Sequence, residues 1–387
     1  MPNILLLGAG TQAFAILKSL HKTGNQLFMI TSEKGNYADY SKYIKRVVYT
    51  TSKPPDVQYL QDVIKLAAEE LIDTALPMGD AEASFLSLNA NELHKVFKFK
   101  MPTYENFMKG YDKNQLMSLC REKGYPHPLT IDLSETAYDD ASKFESFPYP
   151  GILKPNWTTG GRGMCIINSC EDLVKTYPRI KAEYGECHLQ QFIRAGGRQV
   201  KLQLYVNEEG ELLYSSVMEK VRWYPLKGGS SCCSVSVRKP EMVEICHKIL
   251  KDIHWIGFAD FDTIGNPDSG ELLIMEINPR LPACIGAAVF AGIDWGNIIV
   301  DDYLGKPHKQ YYFKDGVALR HLGFDMLWFL KSPNRFRTKP SWFKFFGSKV
   351  FYQDFHLGDQ KPFWVGTYHN FKKLFNPEFK KAKSGTS

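Results

Sequence analysis

Short apolar runs separated by amphipathic stretches set the pattern of the first hundred residues. Residues 3–7 and 26–31 are compact apolar runs that predict buried strands. Residues 12–22 and 58–70 carry apolar side chains at helical spacing and predict amphipathic helices. Alternation of this kind argues for an open parallel α/β sheet. Residues 112–123 predict another helix, ended by Gly124 and the Pro126/Pro128 pair. From about Pro150 the pattern changes to strands joined by glycine-rich turns, at 151–154, 164–167, 188–192, 200–206 and 212–218. Residues 241–253 return to a helix, and two strands follow, 257–262 and 273–280. Beyond about Gly305 the chain turns aromatic and basic, and residues 380–387 read as a frayed tail.

The last two strands carry polar residues at alternate positions. Side chains on a strand alternate faces, so Asp260 and Asp262 point one way, and Glu276 and Asn278 share a face on theirs. Such an oxygen-rich pair of strands suits a hard divalent ion that bridges nucleotide phosphates, as Mg²⁺ does. Upstream, Lys154 lies on a short apolar strand, where an ammonium is costly without an anionic partner. The loop Asn156-Trp157-Thr158-Thr159-Gly160-Gly161-Arg162-Gly163 follows, and its backbone N–H groups can cover a triphosphate. The strand at 188–192 ends in a bend whose backbone groups can read an adenine edge. A rival signal stands near the start. Gly8-Ala9-Gly10-Thr11-Gln12-Ala13 matches the dinucleotide turn G-x-G-x-x-A, with Glu33 after the second strand. Small residues are also what any tight strand-to-helix turn needs.

Composition narrows the classes. With 387 residues, 44% hydrophobic and 23% charged, the chain predicts a soluble globular protein of two or three domains. No apolar run reaches the roughly 18 residues of a membrane span. Met1-Pro2-Asn3 leads straight into an apolar strand with no basic leader, so we expect a cytoplasmic protein whose eight cysteines are reduced thiols. The net charge of +6 is modest but uneven, with six basic and no acidic residues between Lys331 and Lys349. That bias suits an anionic partner better than general nucleic-acid binding. Interleaved aromatics there fit a sugar acid or nucleotide sugar, or weak contact with an anionic membrane surface; the plainer alternative is a solvated face over a small aromatic core.

Taken in order, Lys113, Lys154, the glycine loop, the 190–193 hinge, Asp262 and Glu276-x-Asn278-Pro279-Arg280 resemble the ATP-grasp superfamily. Ala38-Asp39-Tyr40-Ser41-Lys42-Tyr43 and Pro77-Met78-Gly79-Asp80-Ala81-Glu82 resemble its predicted carboxylate–amine ligases of the D-aspartate-ligase-like branch. The resemblance implies an N-terminal α/β domain at 1–110 and a two-lobed ATP-grasp unit at 111–305, with lobes dividing near 190, before an aromatic extension at 306–387. It implies ATP contacts from Lys113, Lys154, Thr159, Gly160, Gly161, Arg162 and Gly163, an adenine hinge of Gln190, Gln191, Phe192 and Ile193, and Gln199 near the ribose. Mg²⁺, or Mn²⁺ in its place, falls to Asp262, Glu276 and Asn278. Arg280, with Lys154, falls to the reacting groups. The implied reaction activates a small-molecule carboxylate as an acyl phosphate and joins it to an amine. Neutral Gln190 and Gln199 stand where the family favours glutamate, and Asp262 is one methylene shorter than the usual residue. Asp260 is a second candidate for its role. An NAD-binding oxidoreductase and a catalytically silent nucleotide-binding module are the competing readings, and an oligomer stays open.

Overall fold

A computed structural model describes residues 1–134, 141–158, 163–226 and 229–374. The chain forms two compact units. One comprises Met1–Phe107, Gln199–Asp262 and Ile277–His369; the other comprises Met108–Arg198 and Thr263–Glu276. Strands β1 (Asn3–Leu7), β2 (Gln26–Thr31), β3 (Ile44–Tyr49) and β4 (Thr74–Pro77) make a sheet of order β3-β2-β1-β4. All its pairs are parallel, as strand–helix alternation predicts. Ile4, Leu5, Leu6 and Leu7 are fully buried, because a parallel sheet is covered on both faces and its strands read as continuous apolar runs.

The second unit is built on β5 (Thr130–Asp132), β6 (Gly151–Pro155), β7 (Cys165–Ile167) and β8 (Cys187–Gln191), antiparallel in the order β5-β8-β6-β7. A helix at Cys170–Tyr184 connects β7 to β8, where the sequence pattern suggests only a glycine-rich turn. Pro178 and the scattered polar residues hide its period, although Ser169 caps it by accepting from the Asp172 N–H. Leu173, Tyr177 and Ile180 bury its inner face with Leu153, Cys187 and Leu189.

The remaining strands are β9 (Gln199–Val206), β10 (Leu212–Tyr224), β11 (Ser230–Ser236), β12 (Gly257–Gly265), β13 (Leu272–Asn278), β14 (Ala318–Arg320) and β15 (Val350–Tyr352). They form a sheet of order β13-β12-β9-β10-β11-β14-β15. β10 runs six residues past the expected end at 218, because irregular pairing near Lys220–Trp223 lets it continue through a polar stretch. Trp328 and Trp342 close a small aromatic core with Cys232 under the basic segment. Among the described residues no helix is long and apolar enough to cross a membrane.

Candidate active site

In the second unit, Lys154 on β6 stands in register with His188 on β8. Its ammonium donates to the Gln190 Oε1, and the Gln190 Nε2 donates to Thr130 Oγ1 at 3.0 Å, so the amide is fixed from both ends. No carboxylate lies within salt-bridge distance of Lys154 among the described residues. Burial pushes the Lys154 ammonium down to about 8; the field of Glu276 opposes this and that of Lys113 adds to it. Lys113 begins the helix Lys113–Lys123, which Asp112 caps by accepting from the Asn114 and Gln115 N–H groups. Its ammonium reaches the Thr158 carbonyl at 3.3 Å and the Glu276 carboxylate at 3.6 Å. Two cations and one half-exposed carboxylate therefore share one place. That is a surplus of positive charge, which suits phosphate.

Sequence reasoning missed His188. It is fully buried, its Nδ1 pairs with Asn156 Oδ1 at 2.9 Å, and its Nε2 has no partner among the described residues. Burial, then Lys154 and Lys113, hold it well below the ordinary histidine range, so the ring is neutral. A histidine and a glutamine facing inward on a strand were the available signal. Around the hinge, the Gln191 N–H donates to Leu129 O at 2.8 Å and the Phe192 N–H to Pro150 O at 3.2 Å. Those two donors are occupied, whereas the Ile193 N–H has no backbone acceptor among the described residues. The Gln190 side chain is buried behind Lys154 and does not extend the hinge edge. Thr159, Gly160, Gly161 and Arg162 lie outside the described residues. Gly163 has φ +74°, and a Cβ there would meet Tyr184 and Pro155 side chains at 2.7 and 2.8 Å, so only glycine fits.

In the first unit, Asp260 and Asp262 do share a face of β12, and Lys201 on β9 joins them, with 2.8 Å to each carboxylate. Asp260 is completely buried and also accepts from Gln203 Nε2 at 2.7 Å. Burial raises its carboxyl against the pull of Lys201. Asp262 is more open and has Lys220 at 3.5 Å as a second cation. Burial opposes its ionisation, yet Lys201 and then Lys220 hold it well below the usual carboxylate range. Asp260 is thus tied into the sheet, and Asp262 is the acid with an open side. Asn278 turns its Nδ2 toward Asp260 at 3.5 Å, and its amide oxygen has no donor among the described residues. Within this unit Asp262 and Asn278 offer oxygen ligands only, the donor chemistry of Mg²⁺ or Mn²⁺. Among the described residues no three His, Cys, Asp or Glu side chains form a metal cluster. Gln199, the first residue of β9, is partly buried. Arg280 binds Asp80 through Nε at 3.1 Å and Nη2 at 3.4 Å, with Nη1 on the Leu281 carbonyl at 3.3 Å. Asp80 opens the helix Asp80–Leu88 of the Pro77–Glu82 motif.

The glycine turn near the start is filled from within the first unit. A Cβ at Gly8 would meet the Glu82 carboxyl at 3.2 Å, and Gly10 is crowded by the Gln12 amide at 2.7 Å. A pyrophosphate needs that space and would meet a carboxyl group in it. The glycines serve the turn, which argues against the dinucleotide reading.

The chain is similar to several known proteins. Residues 112–289 match the family described as carbamoyl-phosphate synthase L chain, ATP binding domain. The D-aspartate ligase of Enterococcus faecium is 22% identical over 79% of this chain and 78% of its own length. The carbamoyl phosphate synthase large chain of Clostridium acetobutylicum is 23% identical over 72% of this chain, a match that spans only 28% of the synthase. In structure, the chain is similar to a biotin carboxylase–β,γ-ATP complex from Campylobacter jejuni, with TM-score 0.67, 18% identity, and coverage of 80% of this chain and 73% of that one. It is also similar to N5-carboxyaminoimidazole synthetase from Staphylococcus aureus complexed with ADP, with TM-score 0.61, 16% identity, and coverage of 81% and 80%. The chain spans about a third or less of the length of the carbamoyl phosphate synthase chains it matches, and its fold is similar to that of the solved carboxylases and synthetases. The family match places an ATP-grasp ATP-binding domain at residues 112–289.

Proposed function

We propose that this chain is a carboxylate–amine ligase. A substrate carboxylate oxygen attacks the γ-phosphorus of ATP, giving ADP and an acyl phosphate. An amine nitrogen then attacks the acyl carbon, the C–N bond forms as phosphate leaves, and the amine loses a proton. The observation that carries the reading is Lys154, a cation held under burial by an amide rather than a carboxylate, beside a second cation, Lys113. Such charge is stable only if an anionic ligand completes it. Lys113, Lys154, Gly163 and the loop residues 159–162 bind the phosphates. The Ile193 N–H and the hinge carbonyls read adenine, and Gln199 lies at the ribose. Asp262, Glu276 and Asn278 hold Mg²⁺, which supplies charge neutralisation at the phosphate oxygens when bound. Arg280 orients the acid, which displaces Asp80 from its planar fork. The reading divides the chain functionally at 1–110, 111–305 and 306–387 and places it in the cytoplasm, acting on small molecules.

A phosphate-release screen of amino acids and sugar acids, offered with amines in pairs, tests this. Release that depends on one acid and one amine, with ADP formed in equal amount, is the expected result. Nucleotide binding with no release for any pair would mean a silent module. The branch resemblance to D-aspartate ligase puts acidic amino acids first in the screen.

A further inference from the structure

The basic segment that follows the helix Leu322–Lys331 has no part in the ligase site described above. It is irregular between 332 and 349, and its aromatic residues divide into two sets. Trp342 is buried against Trp328 and Cys232. Phe336, Phe343 and Phe346 are instead 70%, 57% and 87% exposed. Phe336 and Phe343 stack with centroids 6.2 Å apart, so they form one apolar patch. Lys331, Arg335, Arg337, Lys339, Lys344 and Lys349 surround it in sequence, and among the described residues none has a carboxylate within salt-bridge distance. Arg335 lies over the Phe336 ring at 5.5 Å and the Lys349 ammonium donates to the Asp315 carbonyl at 2.9 Å, which leaves the positive charge unneutralised.

A cavity of about 230 Å³ opens in the same region, lined by Arg222, Arg320, Lys344 and Lys349 over the apolar Ala318 and Val350. It has room for several waters or one phosphate group. Asp325 lies behind it, accepting from Arg222 at 2.7 and 3.0 Å and from the Arg320 Nε at 2.7 Å. Four cations against one carboxylate leave a surplus of positive charge. Arg320 donates its Nη1 to the Lys344 carbonyl at 2.9 Å, and its Nη2 has no acceptor among the described residues. A guanidinium edge that opens beside this cavity without a protein acceptor suits an anion.

We propose that residues 331–349 dock on an anionic phospholipid bilayer, with Phe336, Phe343 and Phe346 entering the interface and a headgroup phosphate entering the cavity beside Lys344 and Lys349. Exposed aromatics mixed with unpaired basic residues are the two signals that peripheral membrane surfaces combine. A soluble anion would explain the cavity but not the three exposed rings.

Co-sedimentation of the full chain with vesicles decides it. Vesicles of equal parts phosphatidylcholine and phosphatidylglycerol should retain the protein at least tenfold better than phosphatidylcholine alone, and high salt should release it. Lys344→Glu with Lys349→Glu, both exposed, should lower retention at least tenfold, and Phe343→Ser with Phe346→Ser should do the same. Each variant should keep the wild-type melting curve and ATP–Mg²⁺ affinity. Equal retention on both vesicle types, or retention unchanged by the charge reversals, overturns the proposal. So does binding of inorganic phosphate that depends on Lys344 while no vesicle is retained, because the cavity would then serve a soluble anion.

Discussion

Whether position 190 carries an amide or a carboxylate controls the charge state of Lys154. A glutamate there would neutralise the ammonium and raise its pKa; glutamine fixes its position and leaves the charge for phosphate. With the ammonium near pH 8 in the free protein, ATP affinity should fall by about tenfold per pH unit above that value, with proton uptake on binding. Titration calorimetry in two buffers of different ionisation enthalpy measures both. Gln190→Glu should weaken ATP–Mg²⁺ binding at pH 7 by about tenfold and remove the alkaline dependence, since a paired lysine titrates far higher. The same shift has a stability sign. The folded pKa is depressed, so between about 8 and the ordinary lysine range the unfolded chain binds more protons than the folded one, and stability rises with pH. Below pH 8 the buried charge costs stability in full. Lys154→Met should therefore stabilise the nucleotide-free protein at pH 7 by about 1 kcal/mol, allowing for residual solvent, with the gain disappearing by pH 10. Thermal melts across that range read it directly.

At the scale of elements, pairing between strands decides which acid is structural. Asp260 and Lys201 face each other from β12 and β9, both buried, with Gln203 completing the set. Removing the cation leaves an uncompensated carboxylate, so Lys201→Met should cost about 3–5 kcal/mol, and adding Asp260→Asn should restore part of it. Denaturant melts of the single and double variants form the test. Asp262 behaves differently, since Lys201 and Lys220 depress it below its unfolded value. Its contribution is present above the unfolded carboxylate range and is lost as pH falls from there through the depressed folded value. Helix starts follow the same logic. Asp112 caps Lys113–Lys123 and also accepts from the Trp157 Nε1 at 2.6 Å, so one carboxylate sets the position of Lys113 and anchors the start of the glycine loop. Asp112→Ala should cost about 1 kcal/mol in stability through the lost cap, and should raise the Kd for ATP beyond what that loss explains.

For the whole molecule, the ligand that stabilises it separates the two nucleotide readings. Saturating ATP–Mg²⁺, at about a hundred times Kd, should add roughly 2.7 kcal/mol to stability, and NADH should add nothing, given the Glu82 carboxyl against Gly8. A thermal shift with each ligand is sufficient. Glu276→Gln should lower turnover by at least about a hundredfold, some 2.7 kcal/mol of barrier, while metal-free ATP binding is kept. Arg280→Lys should retain ATP affinity and lose about tenfold or more in kcat/KM for the acid, because lysine lacks the planar fork that now grips Asp80.

Much of this was legible in the chain itself. Local apolar runs, alternation and caps are set by neighbours in sequence, so β1, β2, the Lys113 helix and the two acidic strands were found close to their true bounds. The ordered series from Lys113 to Arg280 carried the resemblance, and the family match at residues 112–289 covers the same stretch. The helix at Cys170–Tyr184 escaped because Pro178 and dispersed polar residues blur its period, and packing of Leu173, Tyr177 and Ile180 holds it along with the Ser169 cap. Partner identity lay beyond any local pattern. Gln190 holding Lys154, Lys201 joining Asp260 and Asp262, Glu82 filling the Gly8 turn and Asp80 gripping Arg280 pair residues from separate stretches of chain. The sequence alone determined which residue types are available and which elements they ride on. Tertiary structure decided which charges are neutralised and which are left for a ligand, because burial and Coulomb energy depend on distances that only the folded chain sets.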